Sequence, residues 1–203
     1  MTLLQPGIEI LSTQNDSSGT LGMILTDGNG KLFLLTALHI IGNSKEDSDI
    51  KVGGKIVARH QAENPYYSVA MDAVAIEIIK DKSFHVSNRI KGTDKTIREW
   101  GLELPTKALF TVGAVSQATE CKLERYFDFY AGIEHVALLS NSINEQYCAP
   151  GDSGSIWCSK DGYAVSMHSK GDIPENKAIS VRIKNILNEF KLSIYKYPLS
   201  LGK

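Results

Sequence analysis

The chain contains the stretch Gly151-Asp152-Ser153-Gly154-Ser155, in which glycines flank an Asp-Ser pair. Glycine adopts backbone conformations that other residues avoid, so this stretch predicts a sharply bent loop with an exposed serine hydroxyl and amides that point at one spot. A serine hydroxyl is too weak an acid to attack an amide unaided. As a nucleophile, Ser153 would need a histidine base and a carboxylate that orients the base.

Two upstream segments supply these groups. His39 follows an apolar run that ends in Thr-Ala-Leu, and Asp72 opens an apolar run predicted to be a strand. Asp47 and Asp49 are nearer to His39 in sequence, but they sit in a polar loop with no buried strand directly after it. We therefore predict His39 as the general base, Asp72 as its orienting carboxylate and Ser153 as the nucleophile.

These three segments, in the order His, Asp, Ser, resemble the motifs of the chymotrypsin/trypsin-like serine peptidases. The resemblance runs from about Ser18 to about Phe190. It implies an all-β fold of two antiparallel six-stranded β-barrels, with the active site in the cleft between them and a C-terminal helix. It also implies that the amides of Gly151 and Ser153 form the oxyanion hole, where such donors stabilise developing negative charge.

The residue pattern independently predicts antiparallel β structure. Short apolar or alternating runs recur between Gly, Asn, Asp and Pro, and the turn 27–30 joins two of them into a hairpin. A polar stretch over 80–105 marks a crossover between two lobes. We expect residues 1–95 to form the barrel that carries His39 and Asp72, and residues 96–203 to form the barrel with Ser153, the specificity pocket and the C-terminal helix. Together they make one peptidase domain.

Individual elements are predicted from apolar periodicity. An apolar face with helical spacing covers 181–190. The predicted strands cover 21–26, 31–36, 50–58, 69–79, 109–115, 133–139, 155–158 and 163–168.

The composition narrows the class of protein. The chain has 203 residues, 42% of them hydrophobic, enough for one two-lobed domain with a substantial core. Its 22 basic and 23 acidic residues give a net charge of −1, which argues against nucleic acid as a partner. No apolar run is long enough to span a bilayer and the start lacks a signal-peptide pattern, so we expect a soluble, cytoplasmic protein with no membrane partner.

The cysteines and histidines do not form a ligand set. Cys121, Cys148 and Cys158 are an odd number without metal-ligand spacing, so we expect reduced thiols, with a single disulfide as the alternative. We expect neither a metal nor another cofactor.

The substrate-binding residues are predicted from the same resemblance. Members that cleave after Arg or Lys carry an aspartate six positions before the serine, where this chain has Tyr147. The stretch around His168, Ser169 and Gly171 is similar to the pocket of glutamate-specific bacterial and viral 3C-type peptidases, in which the histidine hydrogen-bonds a Glu or Gln side chain. Cys148 replaces a Ser or Thr ligand of the glutamate-specific group. The resemblance thus implies cleavage after Glu, Gln or another polar residue.

Asp152 requires its own partner. In secreted trypsin-like enzymes the matching aspartate pairs with an amino terminus released by proteolysis, and no such cleavage site is visible before Gly19. We expect Asp152 to be satisfied by a side chain, by local backbone, or after ordering by a partner protein.

The function indicated by these residues is that of a serine endopeptidase acting on protein or peptide substrates through an acyl-enzyme. The resemblance also suggests a regulated intracellular protease of a bacterial defence or signalling system, with an activating partner protein. The main alternative is a catalytically silent binding module with a peptidase fold, whose site a partner must order. A purely structural domain is disfavoured by the intact Gly-Asp-Ser-Gly motif.

Overall fold

The structure is a computed structural model, and it describes residues 1–116, 118–140, 149–172 and 177–196. Short strands dominate it, and one α-helix follows them. The strands of the first lobe are β1 Thr2–Leu4, β2 Glu9–Ser12, β3 Ser18–Thr20, β4 Met23–Thr26, β5 Leu32–Ala37, β6 Ser48–Val52, β7 Lys55–His60, β8 Tyr67–Ser68, β9 Ala73–Glu77 and β10 Phe84–Val86. The remaining elements are β11 Glu99–Trp100, β12 Ala108–Val112, β13 Ala118–Tyr130, β14 Ile133–Ser140, β15 Ile156–Cys158, β16 Tyr163–Asp172, β17 Lys177–Arg182, α1 Ile183–Phe190 and β18 Ser193–Ile194.

The barrel of the first lobe consists of two sheets that close on each other, and β1 and β10 form a separate parallel pair. One sheet has the order β18-β4-β5-β9-β8 and the other β3-β2-β6-β7. A bridge between Ala58 and Ile78 joins β7 to the end of β9. Only Leu21 and Gly22 separate β3 from β4, so these two act as one bent strand and complete a ring.

The second lobe is a closed barrel. Neighbouring strands run in the order β12-β13-β14-β17-β16-β15, and β15 pairs back onto β12. Every pair in this ring is antiparallel. The predicted fold class, an all-β protein of two barrels with a C-terminal helix, is confirmed.

A shared apolar core joins the lobes. One cluster of buried side chains includes Leu35 from β5, Ile156 from β15 and Val181 from β17. The helix α1 adds a stripe of buried residues that includes Ile186 and Phe190, as expected for an amphipathic helix. The two lobes therefore pack directly on each other through this shared core.

Some predicted element boundaries were wrong. The predicted strand 50–58 is interrupted by a turn at Gly53 and Gly54, both with positive φ, so it belongs to the hairpin of β6 and β7. The strands β13 and β17 were not predicted, and neither were the short strands β1, β2, β3, β8, β10, β11 and β18. Most residues of β13 are partly or fully exposed, which weakens the apolar alternation that marks a strand. Among the described residues, no helix has the length and apolar character needed to cross a membrane.

Candidate active site

His39 lies directly after β5, in a 3-10 turn over Leu38–Ile40. Its two neighbours, Leu38 and Ile40, are buried in the first lobe. Their burial anchors the turn and leaves the imidazole at the surface, with 48% of the side chain exposed. The ring can therefore reach a substrate while its backbone stays fixed.

Asp72 immediately precedes β9, the strand that pairs with β5. The antiparallel register places Ala37 opposite Ala73, so the end of β5 lies beside the start of β9. Asp72 has a φ of 48°, in the left-handed region that aspartate tolerates better than most residues. Strand pairing thus brings together His39 and Asp72, which are distant in sequence.

The imidazole of His39 and the carboxylate of Asp72 form a close pair. His39 Nδ1–H donates to Asp72 Oδ2 over 2.8 Å, and the His39 amide donates to Oδ1 over 3.0 Å. A carboxylate only accepts, so this bond places the ring hydrogen on Nδ1 and leaves Nε2 with a lone pair. Asp47 and Asp49 are bonded to other first-lobe groups.

Ser153 follows a tight turn that begins at Ala149. The Asp152 amide donates to the Ala149 carbonyl over 3.0 Å. The ring of Pro150 restricts its φ to about −65°. Gly151 has a φ of 104°. A proline followed by a left-handed glycine describes a type II turn, the conformation in which this pair is favoured.

Gly154 lets Ser153 approach the first lobe. Its φ is 95°, which a side chain would strain. A Cβ atom at this position would also overlap the carbonyl oxygen of Thr20 and the hydroxyl of Thr36. The glycine after the serine is therefore required by the contact between the two lobes.

The amides of Gly151 and Ser153 differ from the neighbouring amides of this turn. Around them, Gly154 N–H donates to the His168 carbonyl over 2.8 Å and the Ser155 amide donates to Asp152 O. Within the described part of the chain, neither Gly151 N–H nor Ser153 N–H has an acceptor. Backbone amides without a partner are rare in buried positions. Two of them at one turn can stabilise a negatively charged oxygen.

Ser169 lies between Asp72 and Ser153. Its hydroxyl donates to Asp72 Oδ2 over 2.5 Å, and its carbonyl accepts a bond of 3.1 Å from Ser153 Oγ. The β16–β17 register shifts between His168 and Lys170, so Ser169 is a bulge residue. Bulges redirect side chains. The sequence predicted Ser169 as substrate-binding, but its bond to Asp72 was missed because a bulge leaves no signal in the residue pattern.

Asp152 is satisfied by backbone amides. The side chain is buried, and its Oδ1 accepts the amides of Val115 at 3.0 Å and Ser116 at 2.9 Å. Its Oδ2 accepts the amide of Ala149 at 2.7 Å. Of the three predicted possibilities, backbone is the one found, but only Ala149 is local, because Val115 and Ser116 are distant in sequence. The carboxylate holds the turn before Ser153 without a released amino terminus.

His168 is buried beneath the serine loop. Only 2% of the residue is exposed, and its ring meets the Trp157 ring edge-on at 6.4 Å. Burial lowers the pKa of His168 to about 4, against the opposing effect of Asp152 and Asp72. The imidazole is therefore neutral at pH 7. Its role in a specificity pocket stays a prediction.

The other predicted pocket residues are less enclosed. Gly171 is exposed, and no atom lies within 4 Å of where its Cβ would stand. The exposed Lys170 donates to the Ala131 carbonyl at the tip of the β13–β14 hairpin over 2.9 Å. Tyr147 and Cys148 lie outside the described residues.

The described cysteines and the other histidines do not form a metal site. Cys121 and Cys158 are free, buried thiols, and burial raises the pKa of Cys121 to about 12. His60 is buried against the Ser44 carbonyl, and His135 lies beside Arg182. In the part of the chain that the structure describes, no three His, Cys, Asp or Glu residues are grouped as metal ligands.

The solved structures that match the chain include several serine proteases, whereas no family model and no curated protein matches it. A Nocardiopsis protease has a TM-score of 0.72 at 15% identity, covering 96% of this chain and all of its own. Thermobifida fusca protease A has a TM-score of 0.71 at 16% identity, covering 97% of this chain and 100% of its own. A glutamic acid specific serine protease, described as using a histidine triad in substrate binding, has a TM-score of 0.71 at 16% identity, with 95% and 100% covered. The chain has the fold of the chymotrypsin-like serine proteases.

Proposed function

We propose that this protein is a serine endopeptidase that uses His39, Asp72 and Ser153. The observation that carries the proposal is the His39–Asp72 bond of 2.8 Å, which Ser169 links to Ser153. Beside it, the amides of Gly151 and Ser153 have no acceptor among the described residues. A base with a fixed tautomer, a serine on a strained loop and two free donors are the parts that acyl transfer needs.

In the proposed reaction, Ser153 Oγ attacks the carbonyl carbon of the scissile peptide. Its proton passes to His39 Nε2, and the carbonyl electron pair moves to oxygen, which the amides of Gly151 and Ser153 stabilise. The tetrahedral intermediate collapses as His39 protonates the leaving amine. Water then attacks the acyl-enzyme, with His39 again taking the proton, and the acid is released.

The Ser153 hydroxyl must turn before it can react. Its hydrogen bond in the described chain goes to the Ser169 carbonyl, not to His39. A neutral hydrogen bond contributes only about 1 kcal/mol, so rotation about χ1 into the well that faces His39 is accessible. A substrate amide that bonds to the Ser169 carbonyl would displace the hydroxyl toward the base.

The substrate would bind as an extra strand. The His168 amide and carbonyl bond to Ser155 and Gly154, but beyond His168 the only partner strand of β16 among the described residues is β17. This edge starts at Ser169, whose carbonyl accepts the Ser153 hydroxyl. Extended peptides pair with such edges through backbone bonds, while pockets read alternate side chains.

The buried His168 supports a preference for a side chain with an uncharged hydrogen-bond acceptor. A neutral imidazole can donate to the amide oxygen of Gln, whereas burying a Glu carboxylate beside it without a cation costs more. His60 contacts Ser44, His135 contacts Arg182, and His85 lies on β10. These three histidines therefore do not form with His168 a histidine triad like that described for the glutamic acid specific protease. We therefore propose cleavage after Gln at least as efficiently as after Glu.

The test is covalent labelling of Ser153 with a fluorophosphonate, followed by a cleavage-site profile from a peptide library. Labelling of the wild-type chain and none of Ser153→Ala is the expected result. Absence of labelling would favour the second candidate, a silent binding module, for which the Ser153–Ser169 bond is the specific observation. The predicted activating partner and the setting in bacterial defence or signalling stay predictions, and such a partner would raise the labelling rate.

A further inference from the structure

Thr20 is a first-lobe residue that contacts the turn before Ser153. It ends β3, and it is fully buried. No sequence motif marks it. Its bonds nevertheless lead to the two residues whose amides are unpaired, Gly151 and Ser153.

The Thr20 hydroxyl has a defined direction. Its oxygen accepts the Ala114 amide over 2.9 Å and lies 2.8 Å from the Gly151 carbonyl oxygen. A hydroxyl carries one hydrogen and a carbonyl oxygen only accepts, so Thr20 donates to Gly151. The Thr20 backbone amide also donates to the Ser153 carbonyl over 2.8 Å.

These bonds restrict the orientation of the unpaired amides. The hydrogen bond to the Gly151 carbonyl fixes the peptide that follows Gly151, and the bond to the Ser153 carbonyl fixes the peptide that follows Ser153. Glycine has few steric limits of its own, so the φ of 104° at Gly151 depends on such bonds. Thr20 thus holds both residues of the predicted oxyanion hole through their carbonyls.

Thr20 is itself held firmly. The Thr36 hydroxyl donates to the Thr20 carbonyl over 2.9 Å, and Thr20 pairs with Glu9 across β2 and β3. The missing side chain at Gly154 allows this close approach. A rigid strand of the first lobe therefore anchors the catalytic turn of the second.

We infer that Thr20 is a positioning residue: its hydroxyl orients the Gly151 amide toward the oxyanion through the bond to the Gly151 carbonyl, and its backbone amide holds the Ser153 carbonyl. The inference rests on the proposed peptidase function. Losing one oxyanion donor outright lowers kcat by about 10²–10³ in a serine peptidase. Loosening a donor that stays present should cost less, about 10- to 100-fold.

The experiment uses Thr20→Val, which keeps the shape and removes the hydroxyl. A fluorophosphonate is the probe: Ser153 Oγ bonds to phosphorus, the P–F bond breaks, fluoride leaves with the electron pair, and the hydroxyl proton passes to His39. We expect the maximal labelling rate to fall about 10- to 100-fold, with the half-saturating probe concentration changed less than about threefold. Thr20→Ser keeps the hydroxyl and should label within about threefold of wild type.

The matched control is Thr111→Val, which removes a buried hydroxyl with no hydrogen-bond partner in the described chain, and it should label like wild type. If Thr20→Val does not fold, Thr20→Cys tests the inference instead, because a thiol is a weak hydrogen-bond donor. We expect its maximal labelling rate to be at least about fivefold below that of wild type. Labelling of the folded variant at the wild-type rate, or an equal loss in Thr20→Ser, overturns the inference. No labelling of the wild-type chain overturns the proposed function itself.

Discussion

The carboxylate of Asp152 lies directly against the backbone of Gly113, where a Cβ atom would overlap Asp152 Oδ1, Cγ and Cβ. Gly113 opens the segment whose Val115 and Ser116 amides bind the same carboxylate. Backbone atoms of the second lobe thus surround the Asp152 carboxylate. This contact makes the turn before Ser153 sensitive to one methyl group.

Gly113→Ala should therefore disturb the catalytic turn. The added methyl must displace the Asp152 carboxylate, and overpacking of this kind costs about 1–3 kcal/mol of stability. We expect fluorophosphonate labelling at least about tenfold slower, because the amides of Gly151 and Ser153 move with the turn. Gly101→Ala is the control, since its Cβ would lie 3.3 Å from Tyr163, away from the site. Equal labelling of both variants would show that Asp152 does not set the turn.

Ser169→Ala should lower turnover without affecting substrate affinity. It removes the donor to Asp72 Oδ2 but keeps the backbone carbonyl near Ser153. A hydrogen bond to a charged group contributes about 1.5–3 kcal/mol, of which only the part that differs in the transition state affects rate, so kcat should fall about 3- to 30-fold. Asp72→Asn should lose far more, about 10⁴-fold, because the imidazole takes the wrong tautomer. A raised KM with unchanged kcat in Ser169→Ala would assign its hydroxyl to substrate binding instead.

The sequence predicted the fold because its signals were local. His39, Asp72 and Ser153 each stand at the end or start of an apolar run, and strand pairing carries these runs to the cleft. The contacts that were not predicted depend on the tertiary structure. The bulge at Ser169 and the hydroxyl of Thr20 at the lobe interface are set by register and by packing between lobes, which the residue types do not encode individually.

Burial of His168 should make stability depend on pH. The pKa of His168 is lowered to about 4 from 6.5, so the unfolded chain binds more protons between these values. The free energy of unfolding then falls as pH falls through this window, by about 2 kcal/mol between pH 7 and pH 5. Urea unfolding at pH 7 and pH 5 measures this difference in the free energy of unfolding. His168→Gln should remove that part of the change, whereas His85→Gln, at an exposed position, should keep it. An identical pH dependence in wild type and His168→Gln would contradict the burial argument.

The final prediction concerns substrate choice at the residue before the scissile bond. Matched peptides that differ only there, as Gln, Glu, Leu or Lys, should be cleaved with the highest kcat/KM for Gln, because neutral His168 donates to an amide oxygen without burying a charge. A peptide without a hydrogen-bond acceptor at this position would not gain that bond. His168→Ala should consequently lower kcat/KM for Gln at least about tenfold more than for Leu, while labelling by a small fluorophosphonate changes little. Preferred cleavage after Lys would show that His168 does not line the pocket, and it would leave the roles of His39, Asp72 and Ser153 untouched.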